Sequence, residues 1–324
     1  MFLSANAAQI VLLSDNSHLA RDCATKNTGL DGMPLLRSVR LRPLVLFLCL
    51  CALTSCSSTR LAYSNLNWLI SWKTGDYIPL TSTQKNWLST RVDEHLDWHC
   101  SIEIPDYRSL LANLQTTLAL DDLQASSLID QIPQFEPAVD RVLLEIAPTM
   151  AELFQQLDDS QIAALEANLA EQHQEMHDKF VAPDSTTQAE ERSERLEKRL
   201  RRWLGRLNES QRQRIESWSV EMEGQNRLWL DNRQHWQQQL LATLRSRSDP
   251  GFTAQITDLL IERERYWTTE FKEQTEINSR RGAAMLADVI NLASDKQLTR
   301  MREQFATLDQ DLQQMQCERP STSA

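Results

Sequence analysis

Four of the six histidines fall in two pairs of identical spacing, His95/His99 and His173/His177. On a helix, i and i+4 share one face, so each pair can offer two imidazoles to a divalent metal such as Zn²⁺. Cys100, Glu94, Glu171 and Glu175 stand beside them in sequence as further ligands. The pattern stops short of a metalloprotease motif, because no H-E-x-x-H is present, and the alternative is ordinary boundary histidines. There is no G-x-S-x-G, no phosphate-cradling glycine loop and no CxxC. Paired carboxylates carry no signal in a chain with 45 Asp and Glu. No catalytic residue is assigned. A basic cluster (Arg195, Lys198, Arg199, Arg201, Arg202) has the type to bind phosphate. Its members follow Glu191, Glu194 and Glu197 at i,i+4 in the favourable order, which predicts a self-neutralised exposed helix over Glu190–Arg206.

The elements that must position these residues are helices. Beyond residue 55 glycine occurs only at 75, 205, 224, 251 and 282, too seldom for the turns of a β fold. Glu, Gln, Leu, Arg and Ala, all good helix formers, dominate long windows. A start signal recurs at Leu80-Thr81-Ser82-Thr83-Gln84, Leu120-Asp121-Asp122-Leu123-Gln124, Leu157-Asp158-Asp159-Ser160-Gln161 and Leu207-Asn208-Glu209-Ser210-Gln211. A short polar residue three before Gln is capping-box spacing, and the preceding Leu can staple the turn. These starts predict helices near 84–99, from Pro105 to Leu118, along Phe135–Ile146 with a break or kink at Pro148, and over 159–180. Two long helices follow, about 208–247 and onward from Phe252. On the first, Ile215, Met222, Trp229 and Trp236 repeat every seven residues beside Trp218, Gln225, Asn232 and Gln239. Such a half-polar column is a weak coiled-coil seam. The reading assigns Trp218 and Trp267 to the core and the Trp229/Trp236 end to a partner. Trp68 and Trp72, four apart, either pack on the domain or offer an interface. A last seam runs from Leu298 to Met315.

At the other end, Arg37, Arg40 and Arg42 precede ten apolar residues, Leu44–Leu53. Ten are too few to span a bilayer, which takes about 20, and the pattern is that of a signal peptide. Met33 opens a signal peptide of ordinary length, so residues 1–32 read as an over-extension. Leu53-Thr54-Ser55-Cys56 closely resembles the lipobox of bacterial lipoproteins. The resemblance implies cleavage before Cys56 and fatty acyl groups such as palmitate on that cysteine. Ser57 then favours the outer membrane. Removing residues 1–55 leaves 29 basic and 42 acidic side chains. So acidic a body is repelled by nucleic acid and by anionic lipid. In the oxidising compartment the lipobox implies, Cys100 and Cys317 are expected to form a disulfide, the alternative being two free thiols.

Together, the lipobox, the aromatic block Tyr63–Tyr77, Trp98-His99-Cys100 and Arg202-Trp203-Leu204-Gly205 resemble an uncharacterised all-helical lipoprotein family of Gram-negative bacteria. That family brings no known activity. Separately, Leu80-Thr81-Ser82-Thr83-Gln84 is similar to the Leu-Thr-x-x-Gln motif of periplasmic chaperones of the Spy type, which hold unfolded envelope proteins without ATP. The acidic charge departs from the basic surface of those chaperones. The expected fold is all-α, an elongated multi-helix bundle with two long helices in its C-terminal half, after a cleaved lipoprotein signal peptide. Its parts are a tether over 56–79, a helical part over 80–182, a linker at 183–187, a long-helix part over 188–317 and a disordered tail over 318–324. The expected function is contact with envelope proteins from the periplasmic face of the outer membrane, as scaffold, adaptor or chaperone, with no cofactor besides the lipid. The alternative is a metal-binding or hydrolytic envelope enzyme.

Overall fold

The computed structural model describes residues 62–315 and 317, which are helical almost throughout, with no strand among them. Cys56, the signal peptide and the tail lie outside the described residues. The helices are α1 (Leu66–Tyr77), α2 (Ser82–Trp98), α3 (Ile104–Leu118), α4 (Ala125–Ile129), α5 (Ile132–Gln155), α6 (Asp159–Phe180), α7 (Ser185–Leu204), α8 (Glu209–Glu221), α9 (Gln225–Leu244), α10 (Phe252–Ile261), α11 (Thr269–Asn291) and α12 (Asp295–Gln313).

Three of the four expected starts are true capping boxes. Thr81, Asp158 and Asn208 each accept from the backbone of a Gln three residues on, and that Gln reaches back. Leu80, Leu157 and Leu207 ahead of them are buried. The fourth match, at Leu120, is not a start: Leu120 is half exposed, and α4 opens at Ala125 without a side-chain cap. The fourth box is instead Ser294/Gln297, which departs from the shared pattern because Ala293 stands where the others have Leu.

The boxes meet in pairs. Gln84 and Gln161 exchange amide hydrogen bonds of 3.2 and 2.8 Å. They also donate to the carbonyls of Gln156 and Pro79, each at 3.0 Å. In the same way Gln297 donates to Gln211 and to the Arg206 carbonyl, both at 2.9 Å, while Gln211 donates to Val289. The chain is thus built twice, as α1–α6 and α7–α12. Each copy runs as an entry helix, an interrupted helix pair, a short helix, a long helix and a capped last helix. The copies exchange parts. Helix α10 packs along α5 as α4 packs along α11, and α9 lies on α6 as α12 lies on α3. Consequently one core combines residues 78–169 with 240–259, and the other combines 118–128 with 196–305. The linker expected at 183–187 is absent: the turn ends at Asp184, which caps α7, and 185–187 are already the first turn of that helix.

The two long C-terminal segments are helical along most of their length, but each is divided. Gly224, at φ 78°, separates α8 from α9, a left-handed conformation that favours glycine. A 3₁₀ turn over Arg263–Tyr266 separates α10 from α11. Conversely, α5 does not break at Pro148. Leu144, whose carbonyl loses its donor there, is exposed, so water can satisfy it. Between α2 and α3 the chain widens into a π turn, His99–Glu103. The ring of Pro105 would collide with the Ser101 carbonyl in an α-helix, and the wider turn relieves it.

Candidate functional site

The most apolar site is a half-open cavity of about 750 Å³ at the first core, lined by α1, α2, α5, α6 and α9. Its wall is mainly aliphatic and aromatic. Helix α1 supplies Leu66, Ile70, Thr74 and Tyr77, one face of the helix at spacings of four, four and three. Helix α5 supplies Val142, Ile146, Met150 and Leu153 in the same way. The polar side chains at the wall are Thr74, Tyr77, His95, His99, Thr149, Arg233 and Gln237, with no Asp or Glu.

Arg233 reaches the wall because it shares a helix face with Trp229, Trp236, Gln237 and Leu240. Burial holds its guanidinium below its ordinary value, a hydrogen bond with Tyr77 partly opposing, and it forms no ion pair among the described residues. The Gln237 side-chain carbonyl accepts from both terminal guanidinium nitrogens at 3.2 Å. Reading that helix in columns of seven missed Arg233. A single arginine four residues after one inward Trp and three before another was the available signal.

The histidine pairs are not a shared ligand set. His95 Nε2 lies 2.8 Å from Thr149 Oγ1, and Nδ1 lies 3.2 Å from Glu145. His99 sits between two tyrosines, with Nδ1 3.1 Å from the Tyr63 hydroxyl and Nε2 3.1 Å from the Tyr107 hydroxyl. Tyr63 donates to the Leu96 carbonyl, so it accepts from His99 Nδ1–H, and Nε2 accepts from Tyr107. This assigns the neutral Nδ1–H tautomer. Burial pushes His99 below its ordinary value, with Glu103 opposing, and burial is the first cause that raises both tyrosines to about 12. His173 is also lowered, by burial and by Arg233, while His177 stands half exposed beside Asp178. Among the described residues no three His, Cys, Asp or Glu are grouped to hold a metal ion.

The π turn holds two further contacts. Cys100 Sγ lies 1.99 Å from Cys317 Sγ, a disulfide. Glu103, fully buried, is gripped by Arg141 through Nε at 2.7 Å and Nη2 at 2.9 Å. Neither Glu103 nor Arg141 stood out in the sequence.

The Trp229/Trp236 end, expected to face a partner, lies inside instead. Trp229 is buried against Val181, Leu230 and Phe271. Trp236 packs into the first core and donates to the Leu259 carbonyl at 3.2 Å. The polar column beside them is satisfied internally: Gln225 pairs with Asn278, and Asn232 accepts from the Thr268 backbone. The seam is therefore closed by the chain itself rather than by a partner. Trp218 is core as expected, and Trp267 is half-buried. By contrast Trp68 and Trp72 stand out from α1, 61% and 45% exposed, their rings parallel with centroids 5.8 Å apart. Lys73 Nζ lies 4.6 Å from the Trp72 ring. Helix α7, expected to be exposed all round, forms the ion pairs Glu191–Arg195 and Glu197–Arg201 but buries Leu196 and Leu204.

Among the described residues no helix is long and apolar enough to cross a membrane. Residues 76–272 match the model of a family described as a family of unknown function (DUF6279). No curated protein and no solved structure matches.

Proposed function

The chain belongs to the DUF6279 family, which brings no activity with it, and we propose that it is a lipid-anchored envelope protein that acts by binding another protein. The observation that carries this reading is the Trp68–Trp72 pair. Exposed tryptophans stacked on one another are rare on a surface with no use for them, and Trp is prominent among the residues that dominate interfaces. The pair follows Cys56 closely in the sequence, so a lipid there would hold it close to the outer membrane's periplasmic face. The Cys100–Cys317 bond supports an oxidising compartment. Placing a photo-crosslinking residue at Trp72 in intact cells should give a discrete protein adduct, lost in a Trp68→Ala background. An adduct with lipid alone would assign the pair to the membrane surface and overturn the reading. The anchor has its own test: Cys56→Ala should abolish fatty-acid labelling and release the protein from membranes.

A further inference from the structure

The exchange of parts between the two copies allows their cores to be compared wall by wall. In the second copy the entry helix is α7, which packs on α8 and α12. It fills the space beneath it with Leu196, Leu200, Trp203 and Leu204, and the Trp203 ring lies 4.9 Å from that of Phe305. In the first copy the entry helix is α1, which packs on α2 and α6 in the same way. It has 12 residues against 20, and none of them is buried. The cavity lies beneath its inner face. What is closed core in one copy is therefore open in the other.

Three properties of that space define an occupant. Its size, about 750 Å³, is about five times that of an engineered cavity that takes one benzene. That is room for one long alkyl chain with a small head and too little for a whole two-chain phospholipid. The wall is apolar along most of its extent, which favours hydrocarbon. Its charge is one-sided: the protein carries 45 carboxylates and a net charge of −11, yet none of them lines the cavity, whereas Arg233 does. A half-buried guanidinium that has only the neutral Tyr77 and Gln237 for partners is a costly feature at a plain apolar wall and a fork suited to a planar carboxylate. We propose that this cavity binds a single long-chain fatty acid, with its hydrocarbon among the side chains of α1, α2, α5 and α6 and its carboxylate against Arg233. The site is independent of the contact surface at Trp68 and Trp72, which lie on the outer side of α1.

The test uses the purified protein with radiolabelled palmitate and, as the uncharged control, hexadecanol. Palmitate should bind saturably at one site, and about tenfold or more tighter than hexadecanol, since a hydrogen-bonded charge pair is worth well over 1 kcal/mol. Arg233→Gln should abolish that preference and leave hexadecanol binding nearly unchanged. Ile146→Trp, which fills the cavity from α5, should abolish binding of both. Absence of saturable palmitate binding to the unaltered protein would overturn the proposal. So would an acid-over-alcohol preference that survives Arg233→Gln. The comparison of the two ligands on the unaltered protein holds even if Ile146→Trp fails to fold.

Discussion

His99 shows how one side chain couples the fold to pH. Both ring nitrogens are engaged by tyrosine hydroxyls in a pattern the neutral imidazole satisfies, and burial lowers its affinity for a proton. In the unfolded chain the same imidazole titrates near its ordinary value of about 6.5. Its contribution is therefore complete above that pH and is lost as pH falls through 6.5 towards the folded-state value, because the unfolded chain then binds the extra proton. His173 is shifted in the same direction and adds to the slope. Melting temperature should fall between pH 8 and pH 5, and His99→Gln, which cannot be protonated, should flatten the decline. An unchanged slope in that variant would remove His99 as its source. Trp229 gives a second residue-scale forecast. Buried against Phe271 and Leu230, it should cost about 3–5 kcal/mol when cut to alanine. A melting temperature close to that of the unaltered protein would return it to the surface.

Among the elements, the capping boxes were legible because their chemistry is local. Four spaced residues suffice to satisfy the first turn, and Thr81, Asp158 and Asn208 do so as their spacing foretold. What the spacing does not encode is the second role of each Gln, whose amide also ties two helix starts 77 or 86 residues apart. That role separates true starts from false ones. Gln161→Leu removes donors to Gln84 and Pro79 and the acceptor for the Asp158 amide, in a buried place, and should cost about 2–4 kcal/mol. Gln124→Leu, at the match that is exposed and caps nothing, should change stability by less than about 0.5 kcal/mol. Equal losses in chemical denaturation would mean that the box, not the pairing, sets the cost. The Trp229/Trp236 stripe was legible as a stripe but not as to what covers it. Its cover is made of α6, α10 and α11, and no residue of α9 specifies those partners. Likewise the π turn follows from Pro105 only once α2 and α3 are known to be continuous.

At the scale of the whole molecule, the exchange of parts decides how the chain holds together. The sequence divides near residues 183–187, and the two copies do meet there, but neither can complete a core from its own helices. The first core needs Leu240, Leu244, Phe252 and Ile256 from the second copy, and the second needs Leu118, Leu123 and Leu128 from the first. No periodic pattern in the sequence records such an exchange, since each stripe only states that it must be covered. The disulfide adds to this. Cys100 lies in the π turn between α2, which belongs to the first core, and α3, which belongs to the second, and Cys317 follows α12. With its ends 217 positions apart in the sequence, the cross-link restricts the unfolded chain by an amount worth about 5 kcal/mol at most. The double variant Cys100→Ser/Cys317→Ser should therefore unfold at markedly lower denaturant, still in one transition because both cores are lost together, and with a slope no smaller because the freed unfolded chain exposes more surface. Circular dichroism and tryptophan fluorescence should agree on that midpoint, since Trp218 reports the second core and Trp236 the first. Two separated transitions, with the fluorescence of Trp218 and Trp236 changing at different denaturant concentrations in single-Trp versions, would show that the copies are stable apart and that the exchanged helices contribute little.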